Sequence, residues 1–380
     1  MTELDYFDTL IKSRFTEMFG DIKQSPYPFK RGYQLFKFSS GKFLEESKRT
    51  IDGIPVYGGN GISWYTDTPL LTSPTIVIGR VGVYCGNVRL VKDPCWVTDN
   101  AIYIKSFHTN DLEIEFVKQL MVLMDFHQYS DESAQPKITQ KPLEESEYIV
   151  PPIELQREFI NFCNQVDKSK VIYKEVVSKF DDLIKSRFIE MFGNPLYQTS
   201  DYAYAPINSF AKCVAGATPS TAVNEYWEGG DIPWLSSGEV NKGRIYSTEK
   251  TITQKGYDNC STHLVPAHTV LIALAGQGKT RGTVAVAEIA LCTNQSICSI
   301  LTDDSIDTDY LFHALKIQYD RIRSMSNGDG GRGGLNLEIV GKITVPKPPI
   351  ELQKQFAKFV NQVDKSKSIL LDSILNSLKT

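Results

Sequence analysis

PPIELQREFINFCNQVDKSK, residues 151–170, returns as PPIELQKQFAKFVNQVDKSK at residues 348–367, identical at 15 of 20 positions. A second pair, FDTLIKSRFTEMFG at 7–20 and FDDLIKSRFIEMFG at 180–193, is identical at 12 of 14. Self-similarity of this kind constrains architecture before any local reading. The central copy runs unbroken from Pro151 to Gly193, whereas its counterpart is cut, the C-terminus supplying the first part and the N-terminus the last. If the ends meet in space, the molecule is a pseudo-twofold ring of two halves, each an insert followed by a helix.

Leu155, Phe159, Phe162, Val166, Ser169, Tyr173, Val176, Phe180 and Leu183 recur at alternating steps of four and three, with Lys, Glu and Asp between them. That is the apolar seam of a coiled coil. Pro151 and Pro152 set its start, and Gly193, Asn194 and Pro195 stop it. About 40 residues at 1.5 Å each predict a rod of roughly 60 Å. The C-terminal copy begins the same way, with Phe356, Phe359, Val363, Ile369 or Leu370, and Ile374 continuing its apolar side, so two such rods are expected to pair antiparallel. Energetically these are amphipathic packing helices; that alone leaves unexplained why near-identical rods separate two much less similar inserts.

The inserts, about 21–150 and 196–347, read as mixed α/β from short β-branched runs between Gly, Asn and Asp turns. A skeleton is shared. Ile54-Pro55-Val56 answers Ile232-Pro233-Trp234, Thr75–Ile78 with Gly82 answers Thr269–Ile272 with Gly276, and Thr98–Ile102 answers Thr293–Ile297. Each insert also carries a more helical segment near its end, Leu112–His127 and Asp309–Met325.

Composition narrows the function classes. Lys and Arg total 41 against 45 Asp and Glu, a formal net charge of -4, which excludes a uniformly basic nucleic-acid coat. Apolar runs such as Thr269–Ala275 fall far short of the roughly 20 residues of a membrane span. The acidic start Met-Thr-Glu-Leu-Asp lacks the parts of a signal peptide, so the expected location is the cytoplasm. The 7 cysteines are scattered, with no C-x-x-C pair, and read as free thiols in a reducing compartment. The 5 histidines are dispersed, and no metal site is expected.

Two versions of one domain held apart by rods suggest two readings of one long, quasi-symmetric ligand. Double-stranded DNA is the obvious candidate, because dimeric readers present two modules at a spacing set by the helical repeat. Unlike inserts then imply unlike half-sites around an unread spacer.

The order insert, PPIELQ helix, insert, PPIELQ helix, with IPVYGGNGI at 54–62, G-x-T-P-S at 216–220 and IPWLSSGEV at 232–240, closely resembles the specificity subunits of Type I restriction-modification systems over essentially the whole chain. The resemblance implies a mixed α/β (α+β) fold with two globular target-recognition domains separated by two long antiparallel coiled-coil helices in a pseudo-twofold circular arrangement. The expected parts are a helix segment 1–20 completing the C-terminal helix, target-recognition domain 1 at 21–150, a central helix at 151–195, target-recognition domain 2 at 196–347 and a C-terminal helix at 348–380. It further implies a subunit without catalysis of its own. S-adenosylmethionine, ATP and Mg belong on partner subunits: two modification (methyltransferase) subunits and restriction (motor-nuclease) subunits.

DNA contacts call for Lys and Arg on phosphates and for Arg, Lys, Asn, Gln, Ser and Thr on base edges, often on Gly-rich loops. In the first insert the candidates are Tyr57, Asn60, Trp64, Arg80, Gln135 and Lys137. In the second they are Thr218, Ser220, Ser236, Ser237, Lys279, Thr280, Arg281, Arg332 and Asn336. Gln135 and Arg332 share a register counted back from PPIELQ. Competing structural readings make Trp64 and Trp234 core aromatics, the glycines around Arg332 a flexible connection, and Arg80 an internal ion pair. Residues 21–150 hold 14 basic against 16 acidic groups and residues 196–345 hold 12 against 15, so weak binding by the isolated chain is expected. The rods, with 7 of each sign over 151–195, look like a docking face rather than a phosphate track. Equivalent partner contacts are expected from Lys12, Arg14, Phe15, Met18 and Phe19 and from Lys185, Arg187, Phe188, Met191 and Phe192.

Catalytic motifs fail to assemble. Gly276-Gln277-Gly278-Lys279-Thr280 approaches a phosphate loop, but Ala273 stands where its first glycine is required. No amino-methyltransferase N-P-P-Y or D-P-P-Y tetrapeptide is present. Asp303, Asp304, Asp307 and Asp309 read as a solvated loop and helix N-terminus rather than a nuclease metal site. A coiled-coil protein-binding scaffold and a nucleotide-dependent enzyme remain the alternatives.

Overall fold

The computed structural model describes residues 3–130, 136–276, 278–325 and 334–379, and the chain forms two compact units, residues 1–173 with 373–380 and residues 174–372. Unit 1 contains α1 (Asp5–Phe19), β1 (Phe29–Arg31), α2 (Gly32–Leu35), β2 (Phe36–Ser40), β3 (Ile54–Gly58), β4 (Gly61–Thr66), β5 (Thr75–Gly79), β6 (Val88–Val91), β7 (Trp96–Val97), β8 (Ala101–Phe107), α3 (Ile114–Leu123), α4 (Gln140–Glu145) and β9 (Glu147–Ile149). The 40-residue α5 (Ile153–Phe192) gives its first half to unit 1 and its second half to unit 2. Unit 2 continues with β10 (Tyr204–Pro206), β11 (Ala211–Ala215), β12 (Ile232–Leu235), β13 (Arg244–Ile245), β14 (Lys250–Ile252), α6 (Gln254–Asp258), β15 (Thr269–Ala273), β16 (Val284–Ala287), β17 (Cys292–Thr293), β18 (Ile297–Thr302), α7 (Thr308–Ile317), α8 (Tyr319–Ser324), α9 (Leu337–Gly341) and β19 (Thr344–Pro346). The last helix, α10 (Ile350–Lys379), belongs to unit 2 until Ser373, where it joins unit 1.

Both units use one plan of mixed helix and strand. Unit 1 has sheets ordered β2-β8-β5-β6, β4-β3-β7 and β1-β9; unit 2 has β11-β18-β15-β16-β13, β14-β12-β17 and β10-β19. β5 and β15 are buried along their whole length, which is why they read as unbroken apolar runs rather than alternating ones. In unit 2 alternate residues of β15 serve two layers. Val270 and Ile272 pack toward α7, α5 and α10, while Leu271 and Ala273 pack against Leu235, Val240, Ile245 and Val265. Val77 plays the second part in unit 1, beside Val91, Cys95, Val97, Ala101 and Tyr103.

The repeat is explained by what it packs. α1 runs antiparallel to the first half of α5, and the start of α10 runs antiparallel to its second half. Phe15, Phe19, Phe116 and Phe159 form a cluster of edge-on and tilted rings in unit 1, with Phe19 5.5 Å from Phe159 and 5.4 Å from Phe116. Phe188, Phe192, Tyr310 and Phe356 repeat it in unit 2, with Phe192 5.7 Å from Phe356 and 4.9 Å from Tyr310. Lys170 meets Asp8 at 2.7 Å and Lys367 meets Asp181 at 2.8 Å. The seam differs from the expected one in places. Leu183 and Ile369 are exposed, and their neighbours Ile184 and Leu371 are buried instead. Near its end α5 turns inward at four-residue steps, Ile184, Phe188 and Phe192, because a straight helix drifts from a strict seven-residue repeat.

The glutamine of PPIELQ does a second job. Gln156, fully buried, accepts from the Glu113 backbone N–H at 2.9 Å and donates to the carbonyls of Asp111 and Pro151, both at 2.7 Å. Gln353, equally buried, accepts from the Asp307 N–H at 2.9 Å and donates to Ser305 at 3.1 Å and Pro348 at 2.8 Å. Each amide thus ties the start of a long helix to the loop before α3 or α7. Asp307 itself caps α7, and Asp309 pairs with Arg244 at 2.5 Å, so this acidic run is a helix N-terminus with one half-buried ion pair rather than wholly solvated.

Sequence register between the inserts needs one correction. Ile78 faces Ile102 on β5–β8, and the equivalent Ile272 faces Cys298 on β15–β18. Thr98 therefore corresponds to Asn294, not Thr293, and Asn100 to Ser296. None of the cysteines is in a disulfide. Among the described residues, no helix is long and apolar enough to cross a membrane.

Gln353→Leu should destabilise unit 2 by about 2–4 kcal/mol, because a backbone N–H and two carbonyls lose their partner inside the fold; urea unfolding compared with the parent measures it, and an unchanged midpoint contradicts the clamp. A pH dependence is also built in. His313 is buried against Phe312 and Phe356, and burial, with Lys316, Arg244 and Lys367 adding to it, pushes its pKa well below 6.5. The folded state keeps it neutral while the unfolded state takes up a proton, so stability falls as pH drops below 6.5, by about 1.4 kcal/mol per pH unit at most. His313→Leu should flatten that part of the unfolding profile.

Candidate nucleic-acid interface

In unit 1 the loops after β3 and β5 come together. Arg80 follows β5 and its backbone is held on both sides, its N–H donating to Asn100 at 3.0 Å and its carbonyl accepting from Ile138 at 2.9 Å. Its guanidinium donates to the Asp99 carbonyl at 3.3 Å, so it is anchored by a backbone oxygen rather than by the ion pair of the competing reading. Gly59 lies beside this loop, where a Cβ would meet the carbonyls of Asn100 and Val81 at 3.4 Å, an ordinary contact distance. Asn60, at the exposed tip of the β3–β4 hairpin, is thereby brought to the Arg80 loop, and exposed Lys137 joins it through the Val81–Lys137 bridge. Tyr57 sits half-buried below, its carbonyl accepting from Thr98 at 2.9 Å. Trp64 lies on the edge strand β4, 39% exposed, with the Arg49 guanidinium 3.9 Å above its ring.

Unit 2 assembles the equivalent loops with different side chains. Leu274 takes the place of Arg80, donating to Ser296 at 2.8 Å and accepting from Leu335 at 3.0 Å. Asn294 donates to the Leu235 carbonyl at 3.0 Å, as Thr98 does to Tyr57. Around this frame stand exposed Lys279, half-buried Thr280 and Arg281, and Thr218, whose hydroxyl lies 2.6 Å from Gln295 Oε1. Asn241 donates to the Thr280 hydroxyl at 3.3 Å. Gly216, which opens G-x-T-P-S, passes so close to β17 that a Cβ would stand 1.8 Å from the Thr293 carbonyl. No other residue fits there. Ser220 is exposed at the end of that motif, and its carbonyl accepts from the Trp227 indole at 3.1 Å. Ser237 is half-buried at the start of the short 3-10 turn Ser237–Lys242.

Several expected contacts have structural duties instead. Ser236 is engaged within the fold: its hydroxyl and N–H both donate to the Glu239 carboxylate, at 3.1 and 3.0 Å, in a capping box. Glu239 is 3% exposed; burial works to raise its pKa, but hydrogen bonds from Ser236, Glu249 and Lys242 outweigh it and keep the carboxyl below its ordinary value. Asn336 caps α9 through its side-chain oxygen, accepting from Ile339 at 2.8 Å. Trp234 is a core residue, donating to the Ala217 carbonyl at 3.0 Å and meeting Trp227 edge-on at 5.0 Å. Gln135, Arg332 and the glycines at 328–333 lie outside the described residues. Arg49, Asn241 and Gln295 are neighbours that sequence reasoning missed; the one-residue register slip at Thr293 hid Gln295 as the counterpart of Asp99.

The proposed docking residues divide sharply. Phe15, Phe19, Phe188 and Phe192 are interior and belong to the ring clusters, so their assignment as partner contacts is withdrawn. Lys12 and Lys185 are exposed, and Met18 and Met191 half-buried. Arg14 pairs with Glu17 and Glu158, both at 3.0 Å, and Arg187 pairs with Glu190 at 2.7 Å.

The Gly276–Thr280 stretch leads from β15 into β16, not into the helix N-terminus a phosphate loop needs. Among the described residues, no three His, Cys, Asp or Glu side chains are grouped to hold a metal ion.

Comparison with known proteins bears on the family and the fold. The Type I restriction enzyme MjaIX specificity subunit of Methanocaldococcus jannaschii is 30% identical over 169 residues, which cover 43% of this chain and 38% of that protein. The EcoR124I/EcoR124II specificity subunit of Escherichia coli is 22% identical over 170 residues, covering 44% and 42%. The aligned stretches therefore span less than half the length of these two relatives. The S subunit of a Type-I restriction-modification system from M. genitalium shares the fold, with a TM-score of 0.50 at 16% identity over 94% of this chain and 96% of that one. The family described as Type I restriction modification DNA specificity domain matches twice, over residues 28–176 and 199–380. With the same clamp, sheets and loop frame built twice and both copies matched, the chain belongs to the Type I restriction modification DNA specificity domain family.

Proposed function

We propose that this chain is the DNA sequence-specificity subunit of a Type I restriction-modification complex, in which each insert reads one half of a bipartite, asymmetric site. The observation that carries the reading is the pair of equivalent loop frames. Backbone hydrogen bonds at Arg80 and Leu274 match one for one, while the side chains they present differ: Asn60, Arg80 and Lys137 in one unit, Thr218, Lys279, Thr280 and Arg281 in the other. A constant frame with variable polar side chains suits two unlike sequences on one kind of polymer.

The chain has no chemistry of its own in this reading. Methyl transfer from S-adenosylmethionine and ATP- and Mg-dependent cleavage fall to partner subunits, and two modification subunits dock on the equivalent helix ends. Lys12, Arg14 and Met18 at one end, and Lys185, Arg187 and Met191 at the other, are the docking residues that remain once the buried phenylalanines are removed. Because neither insert is basic overall, the isolated chain binds duplex weakly and gains affinity when cationic partners close around it.

Sequencing host DNA for N6-methyladenine, with this chain and a cognate methyltransferase expressed and then with this chain deleted, should reveal a bipartite asymmetric motif that vanishes on deletion. No chain-dependent motif, with both proteins present, moves the weight to a protein-binding scaffold. Lys185→Glu with Arg187→Glu should lower the methyltransferase content of the purified complex while leaving the melting temperature unchanged, since an exposed pair such as Arg187–Glu190 contributes only about 0–1 kcal/mol. A complex that still elutes intact contradicts the docking assignment.

A further inference from the structure

We infer that Tyr319 and Arg323 are positioning residues that hold the loop Gly278–Thr283 so that Lys279 is presented to duplex DNA, an inference that rests on the specificity-subunit reading above. The Arg323 guanidinium donates to the Gly278 carbonyl at 2.6 Å and to the Tyr319 hydroxyl at 2.9 Å. The Tyr319 hydroxyl in turn donates to the Lys279 carbonyl at 2.7 Å, which also accepts from the Thr283 hydroxyl at 3.0 Å. The two carbonyls flanking the start of the loop are thus gripped by side chains of α8. Arginine suits this job because its planar fork spans two acceptors at fixed geometry.

The loop needs an external brace. Gly278 and Gly282 adopt φ of 60° and 82°, so the backbone departs from any regular ladder; the Thr280 carbonyl accepts from the Thr283 N–H at 3.0 Å, whereas those of Gly278 and Lys279 are met by side-chain donors. Lys279 itself is exposed, and among the described residues its ammonium has no carboxylate partner. A lysine whose backbone is already fixed loses less freedom when it meets a phosphate or a guanine edge. Unit 1 solves the same problem differently. There the loop ends at Gly86, which lies so close beneath the backbone of Phe126 and His127 that a Cβ would stand 2.6 Å from the His127 nitrogen. One insert braces its loop by backbone contact, the other by two replaceable side chains.

The test uses the full chain assembled with its methyltransferase partner and a pool of duplexes with a randomised centre, sequencing the bound fraction. Tyr319→Phe and Arg323→Met should each flatten the base preference at one half-site and weaken binding roughly tenfold, leaving the other half-site unchanged. In a Lys279→Ala background Tyr319→Phe should have no further effect, because it acts through Lys279. If Lys279→Ala changes neither half-site, the loop does not read DNA and the underlying assignment fails. If Lys279→Ala weakens one half-site while Tyr319→Phe and Arg323→Met do not, or their effects add, the brace alone is overturned. Tyr319→Phe removes one oxygen and keeps the ring, so it carries the test should Arg323→Met fail to fold.

Discussion

Everything in each unit hangs on a buried glutamine beside a cluster of four rings. An amide sealed from water must find partners for its acceptor and its donors or destabilise the fold, and here those partners are backbone groups of the loop before α3 or α7. The clamp therefore fixes the entry of a long helix against a globular domain with directional bonds, which apolar packing alone does not supply. The aromatic cluster next to it provides the burial, and the Lys–Asp pair further along sets the register of the antiparallel partner. Three interactions of different physical kinds thus coincide on twenty residues, and those are the residues that repeat.

This is why so much of the architecture could be read from the chain. The buried positions of PPIELQ and of FD-LIKSRF, such as Gln156, Ile184 and Phe188, serve packing or hydrogen-bonding needs that few other residues meet, and these are the same in both copies. The β5 and β15 runs were equally plain, because a strand buried on both faces is mostly apolar, the one buried threonine that opens each having its hydroxyl bonded to a carbonyl. Loops obey no such rule. Thr98 and Thr293 looked equivalent, yet the ladder hydrogen bonds shift the match by one residue, and single-residue slips in a turn leave no trace in composition. The role of Ser236 was likewise hidden: a serine three residues before a glutamate is a capping signal, and only the structure shows that its hydroxyl is held by a buried Glu239.

The interface candidates illustrate the same division. Phe15, Phe19, Phe188 and Phe192 were grouped with their charged neighbours by proximity in sequence, and helical geometry separates them, since residues three or four apart share a face while adjacent ones do not. Lys12 and Lys185 remain exposed at the helix ends, beside half-buried Met18 and Met191 and the Arg–Glu pairs. In the inserts, conversely, the frame is common and the tips are individual. Arg80 is tied to a main-chain oxygen, whereas the second unit keeps Leu274 in that place and carries its cations further along the loop, at exposed Lys279 and half-buried Arg281.

The near identity of the two helix seams carries a hazard for the folding chain. The segment that pairs with the first half of α5 is almost the same as the second half of α5, so side-chain chemistry scarcely tells correct from incorrect strands of the pair. Discrimination then falls to tethering: the local concentration imposed by the intervening domains must outcompete seams on neighbouring molecules. Crowded or slowly assembling chains are accordingly prone to exchange helices between molecules, giving swapped oligomers whose every contact is native.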